Sequence, residues 1–358
     1  MRVSIFGSGL SSLTLAQALV NQKIYVDVIY KKKNFEINKT RTIGISRSNV
    51  LYFNKNIINI DNIKWNLNKI EIFSDNLKNE KLINFEDNKK YLFSIIKNFK
   101  LYKKLENNLN KNKFFSKKHF KFNEKTCKNY NLVINTDYDN LITKKYFNKK
   151  IIKTYNSKAY TTVINHEKIL NNTAFQIFTK KGPLAFLPIS EEETSVVFSQ
   201  HNNVDKKIIN FNNLIQNYNL KYNIKKIHHT DTFDLKGLSL RSYYDKNILA
   251  FGDLLHRIHP LAGQGFNMTI RDIINLTKII KKRLDLGLPL DKSTNLEFEK
   301  NSKHKNLIFS HGIDLIHEFF NIERKINNSF LSKSVQRIGK NQAINKVFKK
   351  IADEGLNY

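Results

Sequence analysis

The sequence predicts an α/β fold: a Rossmann-like domain with a parallel sheet, an inserted antiparallel β-sheet domain and a helical C-terminal region. Three observations lead to this prediction. The chain opens with an apolar strand, a glycine-containing turn, a helix and a second strand. Segments with strand-like alternation follow one another between about residues 150 and 230, and helical spacing runs from Gln264 nearly to the end.

The opening unit spans about residues 3–30. Residues 3–6 are apolar and predict a short strand, a Gly-Ser-Gly turn follows, and periodic apolar residues up to Gln22 predict a helix. Residues 24–30 predict the next strand. These elements make a β-α-β unit, in which two parallel strands lie in one sheet and the helix crosses one face.

The later elements are predicted from alternation, short apolar runs and helical spacing. A helix is predicted over residues 92–109, and one amphipathic helix over about 332–353. Strands are predicted at 70–73, 81–85, 132–134, 159–165, 174–179, 184–189, 195–200 and 248–251.

The chain carries a large excess of positive charge: 61 Lys and Arg against 31 Asp and Glu give a net charge of +30 over 358 residues. Two explanations stay open, attraction to an anionic partner and a composition bias that makes Lys, Asn and Ile abundant throughout. The basic residues are scattered and form no block interleaved with stacking aromatic residues, so we expect no nucleic-acid partner. A content of 41% hydrophobic residues excludes a disordered chain.

Cys127 is the only cysteine in the sequence. A single cysteine excludes an internal disulfide and a metal site built from cysteines. We therefore predict no metal and a reducing, cytoplasmic setting. Residues 3–22 carry no charge and make a secretory signal an alternative, but early glycines and helical periodicity favour the β-α-β unit. No other apolar run is as long as a membrane span needs.

The first motif is the turn that holds Gly7, Gly9 and Ser12. Glycines between a strand and a helix let the backbone approach a pyrophosphate, and the helix N-terminus offers free N–H groups. Ser12 stands where the third glycine of such motifs lies, and the alternative is an ordinary strand–helix turn. In such motifs an acidic residue at the end of the second strand usually binds the ribose, and here that position falls on Tyr30 or Lys31, neither of which is acidic. We predict a dinucleotide site in which the Tyr30 hydroxyl forms a hydrogen bond with the ribose.

The second motif runs from Gly252 to Gly265. A strand leads to Gly252-Asp253, whose carboxylate can accept hydrogen bonds from a polyol, and a glycine-rich turn precedes a helix. The N-terminus of that helix would stabilise negative charge on a reduced ring system. Metal binding or base catalysis by the two histidines of the segment is the alternative.

This segment resembles the flavin-binding segment of the FAD-dependent aromatic-ring hydroxylases, and among them that of the ubiquinone-biosynthesis hydroxylases. The family segment reads G-D-A-A-H-x-x-H-P-x-A-G-Q-G-x-N-x-G-x-x-D, where this chain reads GDLLHRIHPLAGQGFNMTIRD. The resemblance implies an FAD cofactor and extends to about residue 300. The residues retained are Gly252, Asp253, His256, His259, Pro260, Ala262, Gly263, Gln264, Gly265, Asn267 and Asp272.

A second stretch, over residues 159–190, is similar to the ubiquinone branch. It keeps a His-Glu pair, an A-x-x-x-F element and G-P-L-A-x-L-P, at His166-Glu167, 174–178 and 182–188. Arg41 matches an arginine on the flavin-side loop of the family. Asp137 matches the aspartate of a D-G pair that contacts FAD and the pyridine nucleotide, but Tyr138 replaces the glycine.

The resemblance implies a function. Reduced FAD reacts with O₂ to give a C4a-hydroperoxide, and this hydroxylates the ring of a polyprenylated phenol or quinone precursor. The flavin carries the chemistry, so no catalytic side chain is assigned. The implied domains are a discontinuous FAD-binding domain over 1–65, 90–150 and 236–290, a β-rich substrate domain over 66–89 and 151–235, and a helical region over 291–358.

Several alternatives stay open. Tyr138 leaves NAD(P)H or a ferredoxin-like protein as the electron donor. The amphipathic C-terminal segment more often packs on its own domain or on a partner, such as another ubiquinone-biosynthesis protein, and peripheral attachment to an anionic inner membrane is the alternative. Another FAD-dependent oxidoreductase on the same scaffold is a competing function. A degraded flavoprotein that serves as a lipid-binding scaffold subunit is a third.

Overall fold

The computed structural model describes residues 1–30, 39–77, 80–87, 89–119, 127–201, 210–259, 263–326 and 330–356. Its strands form three sheets with six, nine and three strands. The strands are β1 Arg2–Phe6, β2 Tyr25–Ile29, β3 Thr42–Ser46, β4 Lys64–Leu67, β5 Lys69–Ser74, β6 Lys81–Glu86, β7 Phe93–Lys97, β8 Phe115–Lys118, β9 Leu132–Asn135, β10 Lys150–His166, β11 Thr173–Thr179, β12 Gly182–Pro188, β13 Glu193–His201, β14 Ile224–Ile227, β15 Asp231–Leu240, β16 Tyr244–Asp245, β17 Ile248–Ala250 and β18 His256–Arg257.

The helices lie around these sheets and dominate the C-terminal part of the chain. The described α-helices are α1 Leu10–Asn21, α2 Arg47–Asn56, α3 Asn98–Leu109, α4 Leu141–Tyr146, α5 Phe211–Asn217, α6 Gln264–Asp285, α7 Lys292–Ile326, α8 Phe330–Lys340 and α9 Gln342–Glu354. A short 3-10 helix, Gly252–Leu254, follows β17.

The six-stranded sheet has the order β16-β17-β9-β1-β2-β8. All its pairs are parallel except β16 with β17. The chain leaves β1 towards β2 on one side and returns through β9 on the other, so β1 lies at the switch point where open α/β sheets bind ligands. The apolar residues of β1 and β2 are buried against α1, as their pattern predicts.

The nine-stranded sheet has the path β18-β15-β10-β13-β12-β11-β5-β6, with β14 paired to β10. Its pairs are antiparallel except β11 with β5, which are parallel. β3, β7 and β4 form a small antiparallel sheet beside it. The predicted combination of a parallel sheet, an antiparallel β-rich insert and a helical C-terminal region is confirmed.

Two predicted helices are wrong in their limits. Residues 93–97 form β7, and α3 begins only at Asn98. The apolar residues of this stretch are spaced for a helix, but pairing with β3 and β4 extends the backbone. The predicted helix over 332–353 is two helices, α8 and α9. They separate at Asn341, whose side chain accepts hydrogen bonds from Ala343 N and Ile344 N and starts α9.

The largest cluster of buried apolar side chains joins the six-stranded sheet to α1, α3 and α6. A second cluster lies between the nine-stranded sheet and α5. In the described ranges, no helix combines the length and the hydropathy that crossing a bilayer requires.

Candidate flavin-binding site

The carboxyl edge of the six-stranded sheet brings together segments that are far apart in the sequence. The turn after β1, the end of β9 and the turn after β17 meet there. A Cβ atom built on Gly7 would lie 2.2 Å from Thr136 Oγ1 and 3.4 Å from Asp137 N, and one built on Gly252 would lie 2.8 Å from Ser11 Cβ. The two glycine motifs of the sequence therefore form one site.

Gly7 needs to be glycine for two reasons. Its φ is +123°, which side chains disfavour, and a Cβ atom would overlap the Thr136 hydroxyl. Ser12 takes the position of the third glycine, and its buried hydroxyl forms a 2.6 Å hydrogen bond with Thr136 Oγ1. The serine thus ties α1 to the end of β9 and keeps the close packing that a glycine would allow.

The N-termini of α1 and α6 are both free of side-chain caps. Gly9 precedes α1, Gly263 precedes α6 with φ +61°, and neither makes a side-chain capping bond. A Cβ atom on Gly9 or Gly265 would meet no atom of the described residues within 4 Å. Uncapped N–H groups beside open space are the arrangement that binds a phosphate or another anionic group.

Arg41 and Asp253 lie near each other at this edge. Asp253 is exposed in the turn after β17, and the Arg41 guanidinium stacks 3.9 Å from the Phe233 ring centroid. Burial lowers the pKa of Arg41, while Asp253 and Asp231 favour its charged form. An exposed carboxylate can accept hydrogen bonds from a polyol, which is the role that the sequence predicts for Asp253.

Tyr30 and Asp137 flank the turn on either side. Tyr30 directly follows β2 and its ring meets the His119 ring edge-on at 5.5 Å. Asp137 follows β9, and its carboxylate accepts a hydrogen bond from Asp139 N. Tyr138 is 54% exposed and lies under the Arg257 guanidinium, 4.6 Å from the ring centroid to Cζ.

Asn267 is fully buried one turn inside α6. Its Oδ1 accepts hydrogen bonds from Ser46 N and Asn49 Nδ2, and its Nδ2 donates to Gly44 O and Gly263 O. These bonds occupy the carboxamide of Asn267 and hold β3 and the turn before α6 together. Gln264 is buried at the first position of α6, and Pro260 lies outside the described residues.

The two histidines of the second motif have different surroundings. His256 Nε2 is 2.6 Å from Asp272 Oδ2, and Asp272 Oδ1 accepts from Asn306 Nδ2. This buried set fixes β18 to α6 and α7. His259 is fully buried and its ring contacts the rings of Tyr155 and His317.

Sequence reasoning missed Ser11, Thr136 and Tyr155. Thr136 follows a predicted strand, and that position was the only signal for it. Tyr155 lies where the pairing of β10 with β15 shifts register, and its hydroxyl donates to Asp314 Oδ1 at 2.8 Å. Alternation along a strand does not reveal a bulge, so no pattern pointed to this residue.

The described residues fit FAD. The glycine turn after β1 leaves room for a pyrophosphate at α1, and the second uncapped helix, α6, starts from the other motif. Gly263 lies against Gly44, where a Cβ atom would come 3.5 Å from Gly44 N. Gly7, Gly9 and Ser12 would hold the pyrophosphate end, and Arg41, Asp253 and the start of α6 would hold the rest.

Comparison with known proteins agrees with this fit. The family model of the FAD binding domain matches residues 108–285. The chain is 23% identical over 233 residues to ubiquinone biosynthesis monooxygenase COQ6 of Danio rerio, covering 53% of this chain and 48% of that protein. It is 24% identical over 163 residues to ubiquinone hydroxylase UbiL of Rhodospirillum rubrum, covering 43% of this chain and 38% of that one. The chain therefore spans about half the length, or less, of these curated relatives.

Solved structures share the fold over nearly the whole chain. The p-nitrophenol 4-monooxygenase PnpA of Pseudomonas putida has a TM-score of 0.78 at 10% identity and covers 99% of this chain and 98% of its own. A variant of HpxO of Klebsiella pneumoniae complexed with FAD has a TM-score of 0.74 at 10% identity and covers 99% of both chains. The predicted FAD cofactor and the predicted resemblance are confirmed. Residues 108–285 thus match the family of the FAD binding domain, and ubiquinone hydroxylases are among the proteins that the chain is similar to.

Proposed function

We propose that this protein is a flavin-dependent monooxygenase that hydroxylates the aromatic ring of a polyprenylated phenol or quinone precursor in ubiquinone biosynthesis. The observation that carries the proposal is the meeting of two glycine motifs at one sheet edge, in a chain whose relatives are ubiquinone hydroxylases. Bound FAD would supply the electrons and the activation of O₂, which side chains cannot provide.

The protein's own groups bind the cofactor and orient it. The turn at Gly7 and the N-terminus of α1 bind the pyrophosphate, and Asp253 binds a hydroxyl group of the cofactor. The N-terminus of α6 favours negative charge on the reduced ring. Asn267 keeps this helix in register with β3 through four hydrogen bonds.

An apolar cluster beside the second motif supports a prenylated substrate. It lies between the nine-stranded sheet and α7 and α8, and Ile258 of the second motif packs against it. An isoprenoid tail gains free energy in proportion to the apolar area that it buries. The buried members of the cluster are Leu77, Leu82, Phe178 and Ile313.

Two measurements test the activity. The purified protein is titrated with FAD, and the product of a prenylated phenol is then analysed after turnover in labelled O₂. One labelled oxygen atom on the ring is expected. Unlabelled product would point to another FAD-dependent oxidoreductase, and a protein that binds the prenylated phenol but takes up no FAD would be the lipid-binding scaffold.

The electron donor is proposed to be an acidic, ferredoxin-like protein and not NAD(P)H. Tyr138 replaces the glycine of the family pattern, and the Arg257 guanidinium lies over its ring. The net charge of +30 favours docking of an acidic partner. Stopped-flow reduction of the bound flavin tests this: fast reduction by NADPH alone would contradict the proposal, and salt-sensitive reduction by a reduced ferredoxin would support it.

The protein is further proposed to act in the cytoplasm, attached to the anionic face of the inner membrane and near other ubiquinone-biosynthesis proteins. α9 contains no buried residue, and basic side chains lie beside its exposed apolar face. Amphipathic basic helices of this type bind anionic bilayers. The exposed apolar residues of α8 and α9 are Ile338, Ile344, Val347 and Phe348.

Vesicle flotation tests the attachment. Binding is expected to anionic vesicles and not to neutral ones, and a variant with Val347→Glu and Phe348→Glu is expected to lose it. Leu170→Glu is the control, because Leu170 is 81% exposed and lies between β10 and β11, outside α9. Equal binding of the double variant and the control would contradict the proposal.

A further inference from the structure

One face of α6 carries buried polar atoms that have no partner. Gln264 and Arg271 are seven residues apart, so they lie on the same face, about 10 Å along the helix. In the described parts of the chain, neither Arg271 Nη1, Arg271 Nη2 nor Gln264 Oε1 has a hydrogen-bond partner, and all three atoms are buried. Buried charged groups in proteins are almost always paired, so the Arg271 guanidinium calls for an explanation.

The carboxylates near Arg271 already accept hydrogen bonds from other residues. Asp272 binds His256 and Asn306, and Asp353 Oδ1 accepts from Ser48 N. Burial lowers the pKa of Arg271 to about 10, although both carboxylates favour its charged form. The Phe309 ring covers the guanidinium with its centroid 4.4 Å from Cζ. That contact satisfies the face of the guanidinium and leaves its N–H edge without an acceptor.

The last turn of α9 lies directly over this pair. Gln264 Nε2 donates to Ala352 O at 3.5 Å, and a Cβ atom on Gly355 would come 2.6 Å from Arg271 Nη1. The main-chain oxygen of Asp353 accepts hydrogen bonds from the hydroxyls of Ser46 and Ser48. α9 has no buried residue, and these hydrogen bonds help to hold its last turn in place. A cover of this kind opens at modest cost.

We propose that Arg271 and Gln264 form a subsite for an oxyanion of an aromatic ligand, a phenolate or a carboxylate, and that the last turn of α9 is its cover. The guanidinium donates N–H bonds to the anionic oxygen, and Gln264 Oε1 accepts from a hydroxyl of the ligand. The Phe309 ring, which stacks on the Arg271 guanidinium, packs against the same apolar cluster as Ile258 of the second motif. The subsite rests on the proposed function, because it names the headgroup chemistry of the phenolic substrate.

Three probes of similar shape test the subsite: p-nitrophenol, 4-nitrobenzoate and nitrobenzene. Their dissociation constants are measured by calorimetry on the FAD-loaded full chain. Arg271→Met is expected to weaken at least one anionic probe by about 10-fold or more and to leave nitrobenzene unchanged. Weakening of p-nitrophenol assigns a phenolate, and weakening of 4-nitrobenzoate assigns a carboxylate. Arg271→Lys, which keeps the charge with fewer donors, is expected to lie in between.

Lys278→Met is the matched control, because it removes one positive charge from the exposed face of the same helix. Lys278→Met is expected to leave the affinities for all three probes unchanged. A second readout separates a ligand role from a structural one. Arg271→Met is expected to raise the Tm of the ligand-free protein, because it removes an unpaired buried charge. A lower Tm together with unchanged probe affinity would mean that Arg271 is structural and would overturn the proposal.

The cover is tested with Asp353→Ala, which removes the carboxylate that holds the turn to Ser48. Faster association of the anionic probes is expected, and an unchanged rate would overturn the cover. Equal competition by inorganic phosphate would overturn the aromatic assignment. FAD uptake is measured on the same preparations by flavin absorbance. Loss of that uptake would count against the proposed function, whereas normal uptake with Arg271-independent probe binding would count only against the subsite.

Discussion

At the scale of single residues, two glycines of one turn have opposite surroundings. A Cβ atom on Gly7 would overlap Thr136 Oγ1, and φ there is +123°. Gly9 has a φ of −77°, and a Cβ atom on it would meet no atom of the described part of the chain within 4 Å. Gly7 is therefore required by the fold, whereas Gly9 is free to change unless a ligand occupies the space in front of it.

Alanine substitutions separate these two roles. Gly7→Ala is expected to lower the free energy of unfolding by about 2 kcal/mol or more, through strain and overlap, and to abolish FAD binding. Gly9→Ala is expected to leave the Tm unchanged and to weaken FAD binding, because the methyl group enters the pyrophosphate space. Gly312→Ala is the control, since Gly312 is helical and has no atom near its Cβ position. Tm and FAD titration are measured for all three, and unchanged FAD affinity in Gly9→Ala would remove that residue from the site.

Asp27 lies inside β2 and is a heavily bonded carboxylate. It accepts hydrogen bonds from Ser116, Lys118 and Tyr130 and an ion pair from Arg2. Burial alone would raise its pKa. The bonds outweigh burial and lower the pKa of Asp27 from 3.8 to about 2.

The sign of the pH effect follows from that lowered pKa. The stability from Asp27 is present above about pH 4 and is lost as the pH falls towards 2. Asp27→Asn is expected to lower the free energy of unfolding by about 2 kcal/mol at neutral pH, and the difference from wild type should shrink as the pH falls to 2. Asp234→Asn, at an exposed position, is the control. Urea unfolding at several pH values checks this, and a pH-independent difference would be the contrary result.

At the scale of elements, Asn267 joins α6 to β3 and α2. Its side chain is fully buried and makes four hydrogen bonds. The partners are the main-chain oxygens of Gly44 and Gly263, the main-chain N–H of Ser46 and the carboxamide of Asn49. Its loss would leave several of these groups unsatisfied in the protein interior. The start of α6 would also lose the contact that sets its direction against the β3 backbone.

Asn267→Ala is expected to lower the free energy of unfolding by roughly 3 kcal/mol and to weaken FAD binding, because the N-terminus of α6 moves. Lys278→Ala, on the exposed face of the same helix, should change neither quantity. Chemical unfolding gives the free energy of unfolding, and titration gives the affinity for FAD. A destabilised variant with full FAD affinity would show that the position of α6 does not matter for the cofactor.

At the scale of the whole molecule, the net charge of +30 opposes compactness. Salt screens this repulsion, since the Debye length falls from about 30 Å at 0.01 M to about 8 Å at 0.15 M. The Tm is therefore expected to rise over this range of a monovalent salt, measured by scanning calorimetry with two different anions. A rise with only one anion would indicate specific binding, and a fall would mean that stabilising ion pairs outweigh the repulsion.

The sequence by itself determined the opening β-α-β unit, the two glycine motifs, the β-rich insert and the helical C-terminal region. These features are local, because the period of apolar residues and the backbone freedom of glycine are properties of short segments. The tertiary structure decided which segments meet. It placed Thr136 against Gly7 and Ser11 against Gly252, turned residues 93–97 into a strand, and divided the last helix at Asn341. It also buried Arg271 under the end of α9, a contact between residues more than 80 positions apart that no local pattern encodes.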